Sequence, residues 1–198
     1  MSKVVVDMAA SLDGYTAGPN QRADAPFGDG VFDSLTQWMF GAAAEENAPE
    51  LAAITDAGAF IMGRNMFDPG RGEWDMTWRG WWGEDPPYHA PVYVLTHHER
   101  PSLEMDGGTT FHFVTDGITV ALDLARKAAG ERNISVAGGA ATVNQFLAAG
   151  LVDELRLHVV PVLVGRGERL FEGVGPTQLT QVGVRQTALV THLRYTVA

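Results

Sequence analysis

Short apolar runs alternate with segments of helical period along most of this chain, and that alternation restricts the fold more than any other feature. Strand-like runs lie at Lys3 to Ala9, Ala59 to Gly63, Pro91 to Thr96, Thr110 to Thr115, Ile134 to Ala137, Glu154 to Val164, Gln178 to Gln186 and Leu189 to Val197, about eight strands. Helical periodicity lies between Val31 and Ala44, from Pro49 to Ala57, from Thr119 to Ala129 with Val120, Leu124 and Lys127 in step, and from Thr142 to Ala149. Such a chain is expected to be α/β, with βαβ units around a mostly parallel sheet flanked by helices. The last two runs, parted by Thr187 and Ala188, predict a C-terminal antiparallel hairpin. At 198 residues the chain can bury a full core and is expected to form a single domain over residues 1–198.

Charge and composition remove several function classes. A net charge of -10 argues against a phosphate-backbone contact surface, so no nucleic-acid partner is expected. No apolar run approaches the ~18 residues of a membrane span, and Met1-Ser-Lys leads directly into Val4-Val-Val without a signal-peptide core. No membrane partner is expected, and the chain is expected to stay in the cytoplasm. The absence of cysteine excludes thiolate nucleophiles, iron–sulfur clusters and cysteine zinc sites. The histidines show no metal spacing, because His97 and His98 are adjacent and point apart, so no metal is expected.

Three strand ends carry small or cationic groups. The run Val136-Ala-Gly-Gly-Ala-Ala passes from a strand ending at Ala137 through Gly138 and Gly139 into a helix beginning near Ala141, where backbone N–H groups and the positive helix end suit an anion. A tight turn that only tolerates positive φ is the other reading of these glycines. Phe60-Ile-Met breaks at Gly63 into a helix start carrying Arg64, suited either to phosphate or to a surface ion pair. Pro91-Val-Tyr-Val-Leu-Thr-His-His again runs from a strand into polar residues. Ligands of α/β sheets lie outside the carboxyl ends of strands, so the coincidence points to one shared anionic-ligand site.

Five motifs, in order, carry a resemblance to a known family: Val6-Asp-Met-Ala-Ala-Ser-Leu-Asp-Gly-Tyr-Thr-Ala-Gly18, Ile61-Met-Gly-Arg-Asn-Met-Phe67, Val94-Leu-Thr-His-His-Glu-Arg-Pro101, the Gly138-Gly139 turn, and Leu151-Val-Asp-Glu-Leu-Arg-Leu-His-Val-Val-Pro-Val-Leu-Val-Gly-Arg-Gly167. Across almost the whole chain they resemble the dihydrofolate reductase superfamily, nearest its branch related to the riboflavin-biosynthesis reductase domain. The resemblance implies a dihydrofolate-reductase-like fold, NADPH as cofactor, and hydride transfer to a C=N bond of a small-molecule substrate such as a pteridine or an aminopyrimidine. It places Gly63 and Arg64 beside the cofactor phosphates. Thr96 and His97 fall at the adenosine end, where His98 or Arg100 could also meet a 2′-phosphate, and Gly138, Gly139, Ala140 and Ala141 fall at the pyrophosphate. Ala9, Asp13, Gly14 and Ala17 fall in a first loop over the nicotinamide, where Gly14 and Gly18 suit opening and closing. It also suggests a homodimer formed through the C-terminal region.

The departures from that pattern bear on substrate. Where riboflavin-pathway reductases carry a Ser-Gly-Glu-Ser type segment, this chain reads Gly18-Pro-Asn-Gln-Arg-Ala-Asp-Ala-Pro-Phe27, and a fused zinc deaminase would need cysteines that are absent. Asp33 reads as a proton donor or substrate anchor raised by burial against Phe32 or Trp38, or as the N-cap of the helix that follows. Asp13 is divided between catalysis and turn formation. Four of the five tryptophans fall between Glu73 and Tyr88. Trp74, Trp81 and Trp82, with Trp38, are candidate substrate contacts; a subunit interface or a staple to the chain's own core is the alternative for that segment. Arg156 and His158 alternate with Leu155, Leu157 and Val159, which predicts a solvated or interface face for the polar pair. Two other functions fit the same residues, a nonenzymatic nucleotide-binding or sensing protein and a flavin- or deazaflavin-dependent reductase.

Overall fold

The β-branched run Val4-Val-Val favours extended backbone. In the computed structural model, which describes residues 2–198, it opens strand β1 (Val4–Ser11). A long loop carrying β2 (Tyr15–Ala17) leads to a broken helical layer: α1 (Phe32–Thr36), a 3-10 turn (Gln37–Met39), α2 (Gly41–Glu46) and α3 (Ala48–Thr55). Then come β3 (Ala59–Gly63), α4 (Arg64–Phe67), β4 (Pro91–Leu95), β5 (Leu103–Glu104), β6 (Thr110–Val114), α5 (Gly117–Ala129), β7 (Ile134–Gly138), α6 (Ala140–Ala148) and β8 (Glu154–Val160). The chain finishes with β9 (Glu168–Arg169), β10 (Leu179–Gln186) and β11 (Thr191–Val197).

Nine strands form one sheet in the order β10-β11-β8-β1-β7-β3-β4-β6-β5. The six strands from β8 to β6 in that order run parallel to their neighbours, and β10–β11 is the antiparallel hairpin expected at the C-terminal end. The α/β reading and its eight strand-like runs are thus observed. The ninth strand of the sheet, β5, is two residues long, and β2 pairs with the equally short β9 in a separate ribbon. Such pieces carry too few residues to show a period.

Alternation along β1 sorts its side chains to two layers. Val4, Val6 and Met8 pack with Ile61, Val136 and the buried faces of α5 and α6. On the opposite side, Leu35 and Trp38 meet Val160 and Val190, with Ala9 beside them. A further cluster, built on Phe60, Met62, Phe67, Tyr88 and Phe111, takes the half-buried Trp74, Trp78 and Trp82. One expectation is corrected on α5. Val120 and Leu124 are exposed, as is Lys127, and the stripe against the sheet is Ala121, Leu122, Ala125 and Ala129. Alanines let the helix lie close to the strands, a role that apolar size alone does not reveal.

Candidate functional site

The parallel strands β7, β3 and β4 are neighbours, so their carboxyl ends bring Gly138 and Gly139, Gly63 and Arg64, and Thr96 and His97 together. Three glycines there have different physical origins. A Cβ on Gly63 would stand 2.4 Å from Thr142 Oγ1. Gly138 has φ +125 and would bring a Cβ to 3.2 Å from the sulfurs of Met8 and Met66. Both positions are set by packing within the chain. Gly139 is not: its φ is −73, and an added Cβ would meet no atom within 4 Å. The Gly138–Gly139 peptide is cis.

Gly139 is also the N-cap of α6, and no side chain caps that end. The carbonyl of Gly139 accepts from the N–H groups of Thr142 and Val143. The N–H groups of Ala140 and Ala141, in the first helical turn, have no carbonyl partner within the helix. Together with the helix dipole, this end is suited to an anion. The residues at the end of α6 therefore fit a nucleotide diphosphate: open space over Gly139, backbone donors beside it, and no carboxylate at the turn.

Arg64 is more committed than expected. Its Nη1 donates to the Gly72 carbonyl and its Nη2 to that of Glu73 at 3.3 Å, while the guanidinium lies 3.8 Å from the Trp74 ring centroid. Arg64 Nε is buried without a partner. Thr96 is buried, and its Oγ1 accepts from the His98 N–H at 3.1 Å; His97 is exposed.

The first loop is fastened at several points. Asp13 accepts from Ser11 Oγ at 2.6 Å, from the Val164 N–H at 3.1 Å and from the Gly165 N–H at 2.8 Å. Those donors, Ser11 first, lower its pKa to about 2. The proton-donor reading of Asp13 is corrected accordingly, because a carboxylate held ionised serves as an anchor. Gly14, at φ +86, accepts from the Leu170 N–H at 2.8 Å, and Ala17 lies on β2 against β9. Ala9 sits on β1 directly across from His158.

Asp33 and Trp38 line a groove of about 220 Å³ with Ser34, Gln37, Val160, Pro161, Val162 and Leu189. It adjoins the first loop, since the Leu12 N–H donates to the Val162 carbonyl at 2.9 Å. Asp33 is exposed in the first turn of α1, whose N-cap is Val31, so both the N-cap reading and the expected burial against Phe32 or Trp38 are corrected. Trp38 is fully buried, and its Nε1 donates to the Leu35 carbonyl.

The other tryptophans are not gathered with Trp38. Trp74 Nε1 donates to the His98 carbonyl and Trp78 Nε1 to that of Phe67. Trp82 stacks on Phe111 at 5.9 Å, and Trp81 sets its edge against Trp78 at 4.7 Å. The segment is stapled to its own core beside Arg64, the third of the readings that its composition allowed.

A polar cluster went unread in the sequence. His158 is buried, not on a solvated or interface face: its Nε2 lies 2.6 Å from Asp7 Oδ1 and its Nδ1 2.7 Å from His192 Nδ1. Arg156 is half-buried against Glu154 and Asp7. The signal was present: Asp7 and His158 interrupt apolar runs that become adjacent parallel strands.

The family model of the RibD C-terminal domain matches residues 2–193. The chain is 27% identical over 184 residues to the uncharacterized protein YyaP of Bacillus subtilis (strain 168), covering 85% of this chain and 80% of the relative. Among solved structures it resembles RibD of Acinetobacter baumannii, with a TM-score of 0.60 and 20% identity over 100% of this chain and 58% of that one. It also resembles the diaminohydroxyphosphoribosylaminopyrimidine deaminase/5-amino-6-(5-phosphoribosylamino)uracil reductase of Thermotoga maritima, with a TM-score of 0.58 and 14% identity over 100% of this chain and 57% of that one. At such identities these two structures share its fold.

Proposed function

The chain belongs to the RibD C-terminal domain family, and from that membership we propose that it is an NADPH-dependent reductase acting on a C=N bond of a small pteridine- or aminopyrimidine-like heterocycle. The observation that carries the reading is Gly139, whose added Cβ would meet no atom within 4 Å, placed where backbone donors converge. The first turn of α6 would hold the diphosphate, and Thr96 and His97 would face the adenosine end. The cofactor supplies the hydride.

The chain's own contribution is to bind, orient and exclude water. The first loop, fixed by Asp13, closes one side. The groove between Trp38 and Val160 to Val162, about 220 Å³, would take a small planar ring system, and the exposed Asp33 at its rim would anchor a ring nitrogen. A homodimer is part of the same reading. Strand β10 is an edge strand whose Leu179, Val182 and Val184 are exposed, and a second copy would cover it.

Calorimetric titration with NADPH and NADH tests the cofactor. Wild type is expected to bind NADPH more tightly than NADH, and Gly139→Val to weaken NADPH at least tenfold, with a loss of thermal stability no larger than the ~1 kcal/mol of a poor N-cap. No binding of either nucleotide would overturn the proposal. NADPH consumption with a pteridine or aminopyrimidine then separates a reductase from a nucleotide sensor.

A further inference from the structure

Four buried side chains join the sheet to the helical layer in a continuous line: Asp7 on β1, His158 on β8, His192 on β11 and Asn47 between α2 and α3. All are at most 8% exposed. His158 Nε2 meets Asp7 Oδ1 at 2.6 Å, the two imidazoles meet Nδ1 to Nδ1 at 2.7 Å, and His192 Nε2 meets Asn47 Oδ1 at 2.8 Å. Asn47 Nδ2 donates to the carbonyls of Trp38 and Ala43, at 3.2 and 2.7 Å, which leaves Asn47 Oδ1 as the acceptor.

Counting protons along this line gives a definite answer. Each of the three contacts needs one proton between its heavy atoms. Two neutral imidazoles carry two. The third resides on a second nitrogen of one imidazole or on the Asp7 carboxyl, so the line holds one proton more than an ionised Asp7 with two neutral histidines. The Trp38 ring lies 4.8 Å from His158 and 5.4 Å from His192, a setting that favours a shared cation.

We infer that Asp7, His158, His192 and Asn47 form a proton-loaded latch that fastens α1–α3 to the sheet at neutral pH and releases that layer in mild acid, when the second imidazole is also charged. The inference stands on this geometry and not on the reaction proposed above. Charged groups face the pair from three elements. From β1 comes Asp7, and from β8 come Arg156, 3.7 Å from Asp7 Oδ2, and Glu154, which Arg156 and Lys3 engage. From α3 comes Glu50, 4.0 Å from His192 Nε2 and bonded to Arg185 of β10. The α1 carboxylate, Asp33, lines the groove instead. Burial first, and then the neighbouring His158, lower the His192 pKa from 6.5 to about 4. The clamped layer thus binds the extra proton less readily than the released one. Its stability is greatest near pH 6.5: it declines as pH falls towards about 4, where the open state takes up a proton that His192 in the clamped layer does not, and it declines in alkali, where the clamped line holds a proton that the open state has lost.

The test uses the full chain. Long-range ¹H–¹⁵N spectra of the imidazoles at pH 7.5 should show protons on both Nε2 atoms and one proton shared between the Nδ1 atoms. Amide hydrogen exchange, corrected for its intrinsic pH dependence, should show opening of residues 32–55 rising by up to tenfold per pH unit between about pH 6.5 and 4, while α5 stays protected. His192→Gln, whose amide still reaches Asn47 but takes no second proton, should flatten that slope. An Nδ1 pair with no proton between, opening that is equal in α5, or a slope kept in His192→Gln would each overturn the latch. Should the variant fail to fold, the wild-type spectra and exchange decide alone.

Discussion

Gly63 and Gly139 lie side by side at the ends of neighbouring strands, where a Cβ on Gly63 would stand 3.8 Å from Gly139 N, yet they lack side chains for different reasons. Gly63 yields to Thr142, whose Oγ1 would be 2.4 Å from an added methyl. Gly63→Ala should therefore cost about 1–3 kcal/mol by overpacking. Thr142→Ala in the same chain should recover most of that loss, as urea unfolding of the single and double variants would show. Equal instability of the single and double variants would place the strain elsewhere. In the sequence both glycines read alike, as turn residues at strand ends. Which one is explained by the protein depends on a threonine about 80 positions away, a contact that local pattern does not carry. The same holds for His158: period 2 tells which face it shares, not that α3 and Asn47 cover that face.

Among elements, the strands were the most legible. Long-range ladders between parallel strands demand continuous apolar runs, and those runs ended within a few residues of the observed strands. Helix faces were less so. On α5 the side chains that pack are small, and the larger Val120 and Leu124 point outward. Ala125→Leu should lower stability by about 1–3 kcal/mol, whereas Leu124→Ala should change it by about 0.5 kcal/mol or less. Thermal unfolding of the two variants checks the assignment, and a larger loss from Leu124→Ala would reverse it. The Trp-rich segment was legible only as an aromatic loop. Its fastening depends on indole N–H groups finding carbonyls at His98 and Phe67, and sequence does not name such partners.

For the whole molecule, the hairpin leaves β10 as an outer strand with Val184 60% exposed. Its backbone groups on that side are open to a second copy, and a charge there should block pairing. Light scattering should find a dimer for wild type and a monomer for Val184→Lys with the melting temperature of the folded subunit preserved. A wild-type monomer at micromolar concentration would remove the homodimer from the functional reading. The net charge of -10 sets the background for any such association, which should strengthen as salt screens like charges.

Strand β1 lies in the middle of the sheet, yet both of its neighbours come late in the chain: Val4 pairs with Ile134, and Ser11 with Val160. During synthesis Val4-Val-Val leaves the ribosome about 130 residues ahead of its first partner, Ile134. At roughly 5–20 residues per second, that stretch waits about 7–26 seconds for a ladder to join. Strand β1 is then locked only after β3, β4 and β6 have emerged, and chaperone occupancy during synthesis should concentrate on that stretch.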